Sequence, residues 1–338
     1  MDSIKKSASR IECVYSTNIL GGGVRLENTA IPSSPAVPLK ARHKRPFRKT
    51  WRLHLMLLPA VLVALVFKYA PMPGVIMAFQ EFKPWLGVGG SSWVGWDNFK
   101  LMFTMHDSVQ VIWNTIFISV LKILFGLVVP VTFALLLNEI RHIALKRSIQ
   151  TLVYLPHFMS WVILGGILLD LLSLDGFANR LVTAFHLEPI LFLGDGNWFR
   201  ATVIVSDLWK EFGFSAIVFL AALSGINPAL YEASEIDGAG RLQQTLYITL
   251  PSLLPIIIVV FTLSLGNVLN ANFDQIFNLL NPLVLEKGDI IDTYVYRTFQ
   301  GGQYSLATAV GIFKSAVGFV LISGGYYFAY KVANYRIF

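Results

Sequence analysis

The sequence predicts an all-α membrane protein with six transmembrane helices, and its composition and its apolar segments both support this. Of 338 residues, 55% are hydrophobic and 14% are charged, and the mean hydropathy of +0.61 lies outside the range of soluble domains. Six apolar stretches come near or exceed the ~20 residues that a helix needs to cross ~30 Å of hydrocarbon. They lie at 53–79, 111–137, 152–172, 201–226, 252–269 and 306–329.

The distribution of Lys and Arg predicts the orientation of these helices. Eleven of the 27 basic residues lie in the first 52 positions, most of them beside the first apolar stretch. Because cytoplasmic segments carry an excess of Lys and Arg, the N-terminus is predicted to be cytoplasmic, and six crossings return the C-terminus to the same side. Residues 1–50 lack apolar periodicity and are predicted to be a basic, largely disordered cytoplasmic tail. Residues 51–338 are then the transmembrane domain.

The net charge of +7 does not indicate a nucleic-acid partner, because the positive charge is concentrated beside the membrane. The single cysteine, Cys13, excludes an internal disulfide. The six histidines are scattered over different segments, so we expect no metal site. The sequence has no G-x-x-x-x-G-K-[ST] phosphate loop, so any ATP-driven activity needs a separate ATPase.

A short polar segment, 227–249, separates the fourth and fifth apolar stretches. Asn227 can cap a helix, Pro228 suits its first turn, and Gly238 can end it. Three acids and one base make the segment unusual for the cytoplasmic side, which indicates a cationic partner; a solvated interfacial helix is the alternative. Glu232 and Glu235, three residues apart, share a face. The residues expected to contact a partner are Glu232, Ala233, Ser234, Glu235, Asp237, Gly238 and Ala239.

Polar residues near the fifth apolar stretch are candidates for a substrate pathway. Asn267, Asn270, Asp274 and Asn278 follow each other at three, four and four residues, which predicts one polar stripe on a helix. At bilayer depth such a stripe faces a cavity, or else it serves only for hydrogen bonds between helices. The predicted pathway residues are Trp209, Asn267, Asn270, Asn272, Phe273, Asp274, Phe277 and Lys314.

Charged residues inside the other stretches need partners. Asp207 and Lys210, three apart, are predicted to pair on the fourth helix. Lys314 lies about midway along the sixth apolar stretch, where a lone ammonium is costly. It is expected either to keep the pathway electropositive for an anionic solute, or to form a fixed pair with Asp274 or with a carboxylate of another subunit.

The polar segment also resembles a known family. Glu232-Ala233-Ser234, then Gly238, then Ile248-Thr249-Leu250-Pro251, resembles the EAA loop of the membrane subunits of ABC importers, whose third position is usually Ala. Motifs at 69–74, 79–82, 209–214, 221–225 and 292–296 resemble the oligosaccharide and polysaccharide branch of these permeases. Within that branch, the motifs favour a likeness to the first permease subunit of the alginate importer.

The resemblance implies a type I ABC importer permease in the inner (cytoplasmic) membrane. Such a chain forms half of a translocation pathway with a second permease subunit, and its EAA segment couples it to two ATPase subunits. An extracytoplasmic solute-binding protein delivers the solute. The chain itself is then no enzyme and binds no cofactor, since ATP and Mg are used by the ATPases.

The implied solute is an oligo- or polysaccharide, either anionic and alginate-like or a neutral oligosaccharide. A six-helix channel and a secondary transporter are the alternative functions, but the sequence shows neither a selectivity-filter segment nor an internal repeat. A membrane-embedded enzyme is a third alternative, without a recognisable catalytic motif.

Overall fold

The computed structural model describes residues 47–333, so the predicted tail falls outside the described residues except for positions 47–50, which open the first helix. The longer helices are α1 (Phe47–Ala64), α3 (Asp97–Thr104), α4 (His106–Glu139), α5 (Ile143–Tyr154), α6 (Trp161–Leu171), α7 (Phe177–Ala184), α8 (Gly196–Ser224), α9 (Pro228–Ile236), α11 (Leu250–Leu265), α12 (Phe273–Leu279), α14 (Ile291–Gln300) and α15 (Tyr304–Ala333).

Single helical turns complete the chain: α2 (Gly87–Gly90), α10 (Arg241–Gln244) and α13 (Leu285–Gly288). Turns of π-helix lie at Leu65–Tyr69 and Thr245–Thr249, and 3-10 turns at Met72–Phe79, Leu155–Phe158 and Pro282–Val284. The short strands β1 (Gln80–Glu81) and β2 (Ser92–Trp93) pair antiparallel, with Gln80 opposite Trp93. The chain divides into two units, 1–62 and 63–338, and the second is described from here on.

Within residues 47–333, four helical segments are long and apolar enough to cross a membrane: Leu55–Phe79, His106–Glu139, Arg241–Leu265 and Tyr304–Tyr327. Two bent pairs bring the number to six. They are Ile143–Phe158 with Trp161–Leu171, bent by 101°, and Gly196–Ser224 with Pro228–Ile236, bent by 69°. The 29 residues of α8 reach about 43 Å at ~1.5 Å per residue, enough to cross without α9. The prediction of an all-α membrane protein is confirmed.

The apolar stretch at 152–172 does not form one straight helix, because the helix breaks in the middle. Pro156 lies in the 3-10 turn after α5, where it removes a backbone donor. Ser160 then starts α6, and its hydroxyl accepts a hydrogen bond from the backbone N–H of Ile163 at 3.3 Å. The two halves therefore point in different directions.

The largest helix pairing joins α4 and α8. One buried cluster, which includes Ile118, Phe199 and Val203, packs this pair against α12. A second, which includes Ala134 and Phe219, lies nearer the other end of the pair and packs it against α11. Lys122 on α4 and Asp207 on α8 lie between these apolar clusters along the two helices.

The loop around α13 is bound to both long helices and sets the start of α14. Asn114, fully buried on α4, donates hydrogen bonds to the carbonyls of Glu286 at 2.9 Å and Asp289 at 3.2 Å. Arg200 on α8 donates to the carbonyl of Lys287 at 2.8 Å. Because the buried backbone here is paired with side chains of α4 and α8, α14 begins at a fixed place beside them.

Candidate functional site

The polar segment 227–249 folds as its local sequence predicts. The side chain of Asn227 accepts a hydrogen bond from the N–H of Ala229 at 3.1 Å, and Pro228 occupies the first turn of α9. At the other end, Ala239 N–H donates to the Ser234 carbonyl at 2.9 Å and Gly238 N–H donates to the Glu235 carbonyl at 3.1 Å. This is the Schellman arrangement, and it requires the positive φ of +78° that Gly238 adopts.

Side chains tie α9 to its neighbours. The amide of Gln244 donates to the Ser234 hydroxyl at 3.0 Å, and the hydroxyls of Tyr231 and Thr249 lie 2.9 Å apart. Arg241 pairs with Glu139 at the end of α4, 2.5 Å apart. These contacts join α9 to α10 and to Thr249, just before α11, and they join α10 to the end of α4.

The outer face of α9 is exposed. Glu232, Ala233 and Gly238 are exposed, and Ile236 is 87% exposed. Glu235 is exposed as well, and it lines a cavity of about 300 Å³ with Tyr231 and Arg241. An apolar side chain beside carboxylates on a free helix surface is what an interface with another protein requires.

A polar cleft lies midway along α4 and α8. Its volume is about 390 Å³, and its lining includes Lys122, Asp207, Glu211, Asn267, Asn270 and Asn272. The Lys122 ammonium lies 3.3 Å from Asp207 and donates to the Ala271 carbonyl at 2.9 Å and to the Gln275 side chain at 2.5 Å. Asn272 also donates to Asp207, at 3.0 Å. The carboxylate and the ammonium at bilayer depth are thus satisfied within the protein.

The predicted pair of Asp207 with Lys210 does not form. Lys210 pairs instead with the adjacent Glu211 at 2.9 Å and donates to the carbonyl of His157 at 2.9 Å. The His157 ring lies 2.7 Å from Glu211 and stacks on Phe214. Asp207 prefers Lys122 because the packing of α4 against α8 brings that ammonium within reach.

The predicted polar stripe is also wrong. The α11 helix ends at Leu265, and the chain runs through turns until α12 starts at Phe273. Asn272 there has a φ of +71° and caps α12, accepting a hydrogen bond from Gln275 N–H at 3.4 Å. A left-handed residue cannot continue a helix, so Asn267 and Asn270 lie on a different element from Asp274.

A second, aromatic cleft of about 500 Å³ lies on the other side of Asn270. It is lined by Asn270, Phe273, Asp292, Val295, Tyr296 and Phe299. Behind this wall, Lys314 on α15 donates to Asp292 at 2.5 Å and to the Asn270 side-chain oxygen at 3.1 Å. Lys314 is therefore paired with Asp292, and not with Asp274.

The structure brings together most of the predicted pathway residues around Asn270. Asn267, Asn270 and Asn272 line the polar cleft, Asn270 and Phe273 line the aromatic cleft, and Phe277 stacks on Phe273 with centroids 5.2 Å apart. Trp209 is elsewhere, in an apolar groove of about 440 Å³ between α6 and α8. Asp274 is exposed and lines neither cleft.

Sequence reasoning missed Lys122, Asp292, Tyr296 and Phe299. A lysine in an apolar stretch, as at 122, is itself a signal, and Asp292 and Tyr296 lie within a motif noted for its resemblance alone. Among residues 47–333, no group of three His, Cys, Asp or Glu side chains is placed to hold a metal ion.

The chain is similar to known transport proteins. Residues 123–333 match the family described as "Binding-protein-dependent transport system inner membrane component". Protein LplB of Bacillus subtilis is 43% identical over 86% of this chain and 92% of its own length. The polygalacturonan/rhamnogalacturonan transport system permease protein YteP of the same organism is 42% identical over 87% and 94%.

A solved structure agrees with these relatives. It is a chain of a bacterial ABC transporter involved in the import of the acidic polysaccharide alginate, with 39% identity and a TM-score of 0.78 over 85% of this chain and 97% of that one. The resemblance to ABC importer permeases is confirmed. The match covers more than half of this chain, including the aromatic cleft, most of the polar cleft and the polar segment 227–249. The chain therefore belongs to the binding-protein-dependent transport system inner membrane component family, whose members are transport subunits and not enzymes.

Proposed function

We propose that this chain is one of two membrane subunits of an ATP-driven importer for fragments of an acidic polysaccharide. The observation that carries the proposal is α9, a capped and exposed helix in a chain of this family. It is joined to the residue before α11 directly and to the end of α4 through α10. The solute class is supported by two similar proteins, a polygalacturonan/rhamnogalacturonan transport permease and a chain of a transporter involved in the import of alginate. Both polymers carry a carboxylate on their uronic acid rings.

We propose that α9 docks on an ATPase subunit, with Glu232 facing a basic surface of that subunit. Ala233 and Ala239 keep the contact surface small, and Gly238 ends α9 and turns the chain toward α10. Ser234 holds the helix through Gln244. Glu235 and Asp237 add negative charge at the docking face. Two ATPase copies, using ATP and Mg, would serve this chain and a second permease.

The substrate pathway is proposed to run along the two clefts that meet at Asn270. Amides and carboxylates on one side and aromatic rings on the other are the groups that recognise saccharides, and both kinds are present. Asn267, Asn272, Phe273, Phe277 and Lys314 belong to this region. Trp209 and Asp274 are not included in the proposed pathway, because neither lines the polar cleft or the aromatic cleft.

The proposed setting is the inner membrane, crossed several times, with both termini in the cytoplasm. An extracytoplasmic solute-binding protein delivers the saccharide; one similar structure contains such a protein with an alginate pentasaccharide bound. Permeases for galactooligosaccharides and lactose are similar at 31% and 30% identity over smaller shares of the chain. A neutral oligosaccharide is therefore the second candidate solute.

The test is solute-stimulated ATP hydrolysis. The chain is purified with its second permease and its ATPases, placed in lipid nanodiscs, and combined with the solute-binding protein. Oligogalacturonates and alginate oligosaccharides are compared with neutral galactooligosaccharides of the same length. Stimulation by the uronates alone is expected. Stimulation by the neutral series alone would overturn the solute class, and failure of any ATPase to co-purify would overturn the function itself.

A further inference from the structure

We infer that the aromatic cleft is a saccharide subsite in which Tyr296 and Phe299 stack on sugar rings, Asn270 and Asp292 bind hydroxyl groups, and Lys314 sets the selectivity for charge. The inference rests on the proposed function for the class of solute. Its residues are assigned from the contacts that follow.

The helix α14 has two faces with different environments. Ile291 and Tyr294 are buried in an apolar cluster with α3, α4 and α15. The opposite face carries Asp292 and the residues three, four and seven positions after it, which are Val295, Tyr296 and Phe299. That face lines the cleft, and the Tyr296 and Phe299 side chains on it are 40% and 49% exposed.

The aromatic rings of the cleft are held in place by other rings. Tyr296 packs edge-on against Phe277, with centroids 5.1 Å apart, and against Phe273 at 5.8 Å. Phe299 packs edge-on against Tyr304 at 4.8 Å. Rings that are fixed and still half exposed offer an apolar surface at little cost in conformational entropy, as a binding platform needs.

The polar groups at the cleft keep free hydrogen-bonding capacity. The Asn270 side-chain oxygen accepts from Lys314, and among the described residues its N–H groups have no acceptor. The Tyr296 hydroxyl accepts from Gln300 at 2.8 Å, which leaves its own proton to donate. Asp292 uses one oxygen for Lys314. An amide donor, a phenol and a carboxylate oxygen beside aromatic rings match the hydroxyls and apolar faces of a sugar.

Lys314 is more exposed than Lys122, the lysine that lines the polar cleft, and has fewer hydrogen-bond acceptors. Lys122 has three acceptors and a side chain that is 9% exposed, whereas Lys314 has two acceptors among the described residues and is 21% exposed. An ammonium has three donors, so Lys314 retains one. It lies behind Asp292 and compensates the charge of that carboxylate, which otherwise would repel an acidic solute from the cleft.

The first experiment tests the platform. In the nanodisc importer, Tyr296→Phe and Phe299→Ala are compared for the saccharide concentration that gives half-maximal stimulation of ATP hydrolysis. The control is Phe319→Ala on α15, an aromatic that is 72% exposed and lines neither cleft. We expect increases of about 3- to 10-fold for the two cleft variants and none for the control, from the usual contribution of one hydrogen bond or aromatic contact.

The second experiment tests the charge selectivity. Lys314→Gln leaves Asp292 uncompensated, so the half-maximal concentration should rise about tenfold or more for a uronate oligosaccharide relative to a neutral one. Asp292→Asn should shift that ratio in the opposite direction. The double variant removes both charges and should return the ratio to that of the unmutated protein.

The outcomes separate the two proposals. If the unmutated importer responds to neutral saccharides alone, the solute class is wrong, and the cleft is judged by Phe299→Ala with those saccharides. If the importer responds and neither cleft variant shifts the concentration, the subsite is overturned. Loss of the second permease from the complex in Phe299→Ala would also overturn it, because the cleft would then be an interface between subunits.

Discussion

Lys122 on α4 and Asp207 on α8 form an ion pair between the two long helices, with Nζ 3.3 Å from Oδ1. Both side chains are largely buried, at 9% and 18% exposure. Asn272 and Gln275 complete the set of partners. The pair therefore joins α4, α8 and the segment that leads into α12 at one point of the polar cleft.

Removing one member of the pair is expected to destabilise the fold. Lys122→Met leaves a buried carboxylate without its cation, which typically costs about 3–5 kcal/mol. The double variant Lys122→Met with Asp207→Leu should recover much of this, because no buried charge is left alone. The measurement is the thermal unfolding midpoint in detergent. Equal midpoints for the single variant and the unmutated protein would contradict the account.

Gly238 is expected to be needed for ATPase binding because of the backbone conformation it adopts, and not because of its small size. An added Cβ at this position meets nothing within 4 Å, but the φ of +78° is strained for a residue with a side chain. We expect Gly238→Val to weaken binding of the ATPase strongly and Gly238→Asn to weaken it only slightly, since Asn tolerates this conformation. Co-purified ATPase per permease measures both, and equal losses for Asn and Val would argue for a steric role.

The features that could be predicted from the sequence depend on neighbouring residues. Asn227, Pro228 and Gly238 define the ends of α9 through contacts within a few positions, so their pattern was sufficient. The lengths of the apolar stretches likewise predicted most of the membrane-crossing segments, because length and composition are local properties of the sequence. The break after Pro156 shows where this reasoning stops, because a proline in a span can be absorbed as a kink or can end the helix.

The features that could not be predicted depend on contacts between distant segments. Lys122 meets Asp207, and Lys314 meets Asp292, only because their helices pack together. The stripe of asparagines was predicted on the assumption that α11 continues past Leu265. The left-handed conformation of Asn272 is stabilised by its hydrogen bond to Asp207, which periodicity does not reveal.

Asp195 is expected to make the start of α8 sensitive to acid. Its carboxylate accepts hydrogen bonds from the N–H groups of Trp198 and Asn197, and these bonds lower its pKa in the folded protein. The resulting stabilisation is present above the unfolded pKa of about 3.9 and is lost as pH falls through the lower folded pKa. Asp195→Ala should therefore lower the unfolding midpoint more at pH 7 than at pH 3.

The control for this prediction is Asp195→Asn, which can still cap the helix but does not titrate. The difference between the midpoints of Asp195→Asn and Asp195→Ala should therefore be the same at the two pH values, since neither side chain titrates. An equal loss for Asp195→Ala at pH 7 and pH 3 would show that the carboxylate charge contributes nothing.

Glu232→Lys is expected to weaken ATPase binding by placing a cation against a basic surface. The matched control is Glu188→Lys, an exposed acid in the segment before α8, at the opposite end of that helix from α9. Both variants should insert into the membrane, and only Glu232→Lys should lose co-purified ATPase. Normal association and normal coupling in Glu232→Lys would show that α9 does not dock through this residue.

The most direct test of the central claim is uptake of a labelled oligogalacturonate by proteoliposomes. They contain the complete importer, ATP is enclosed on the side of the ATPases, and the solute-binding protein is added outside. The account predicts accumulation inside the vesicles that needs ATP and the binding protein, with little uptake of a neutral oligosaccharide of equal length. Uptake that continues without ATP, or that is the same for the charged and neutral saccharides, would contradict it.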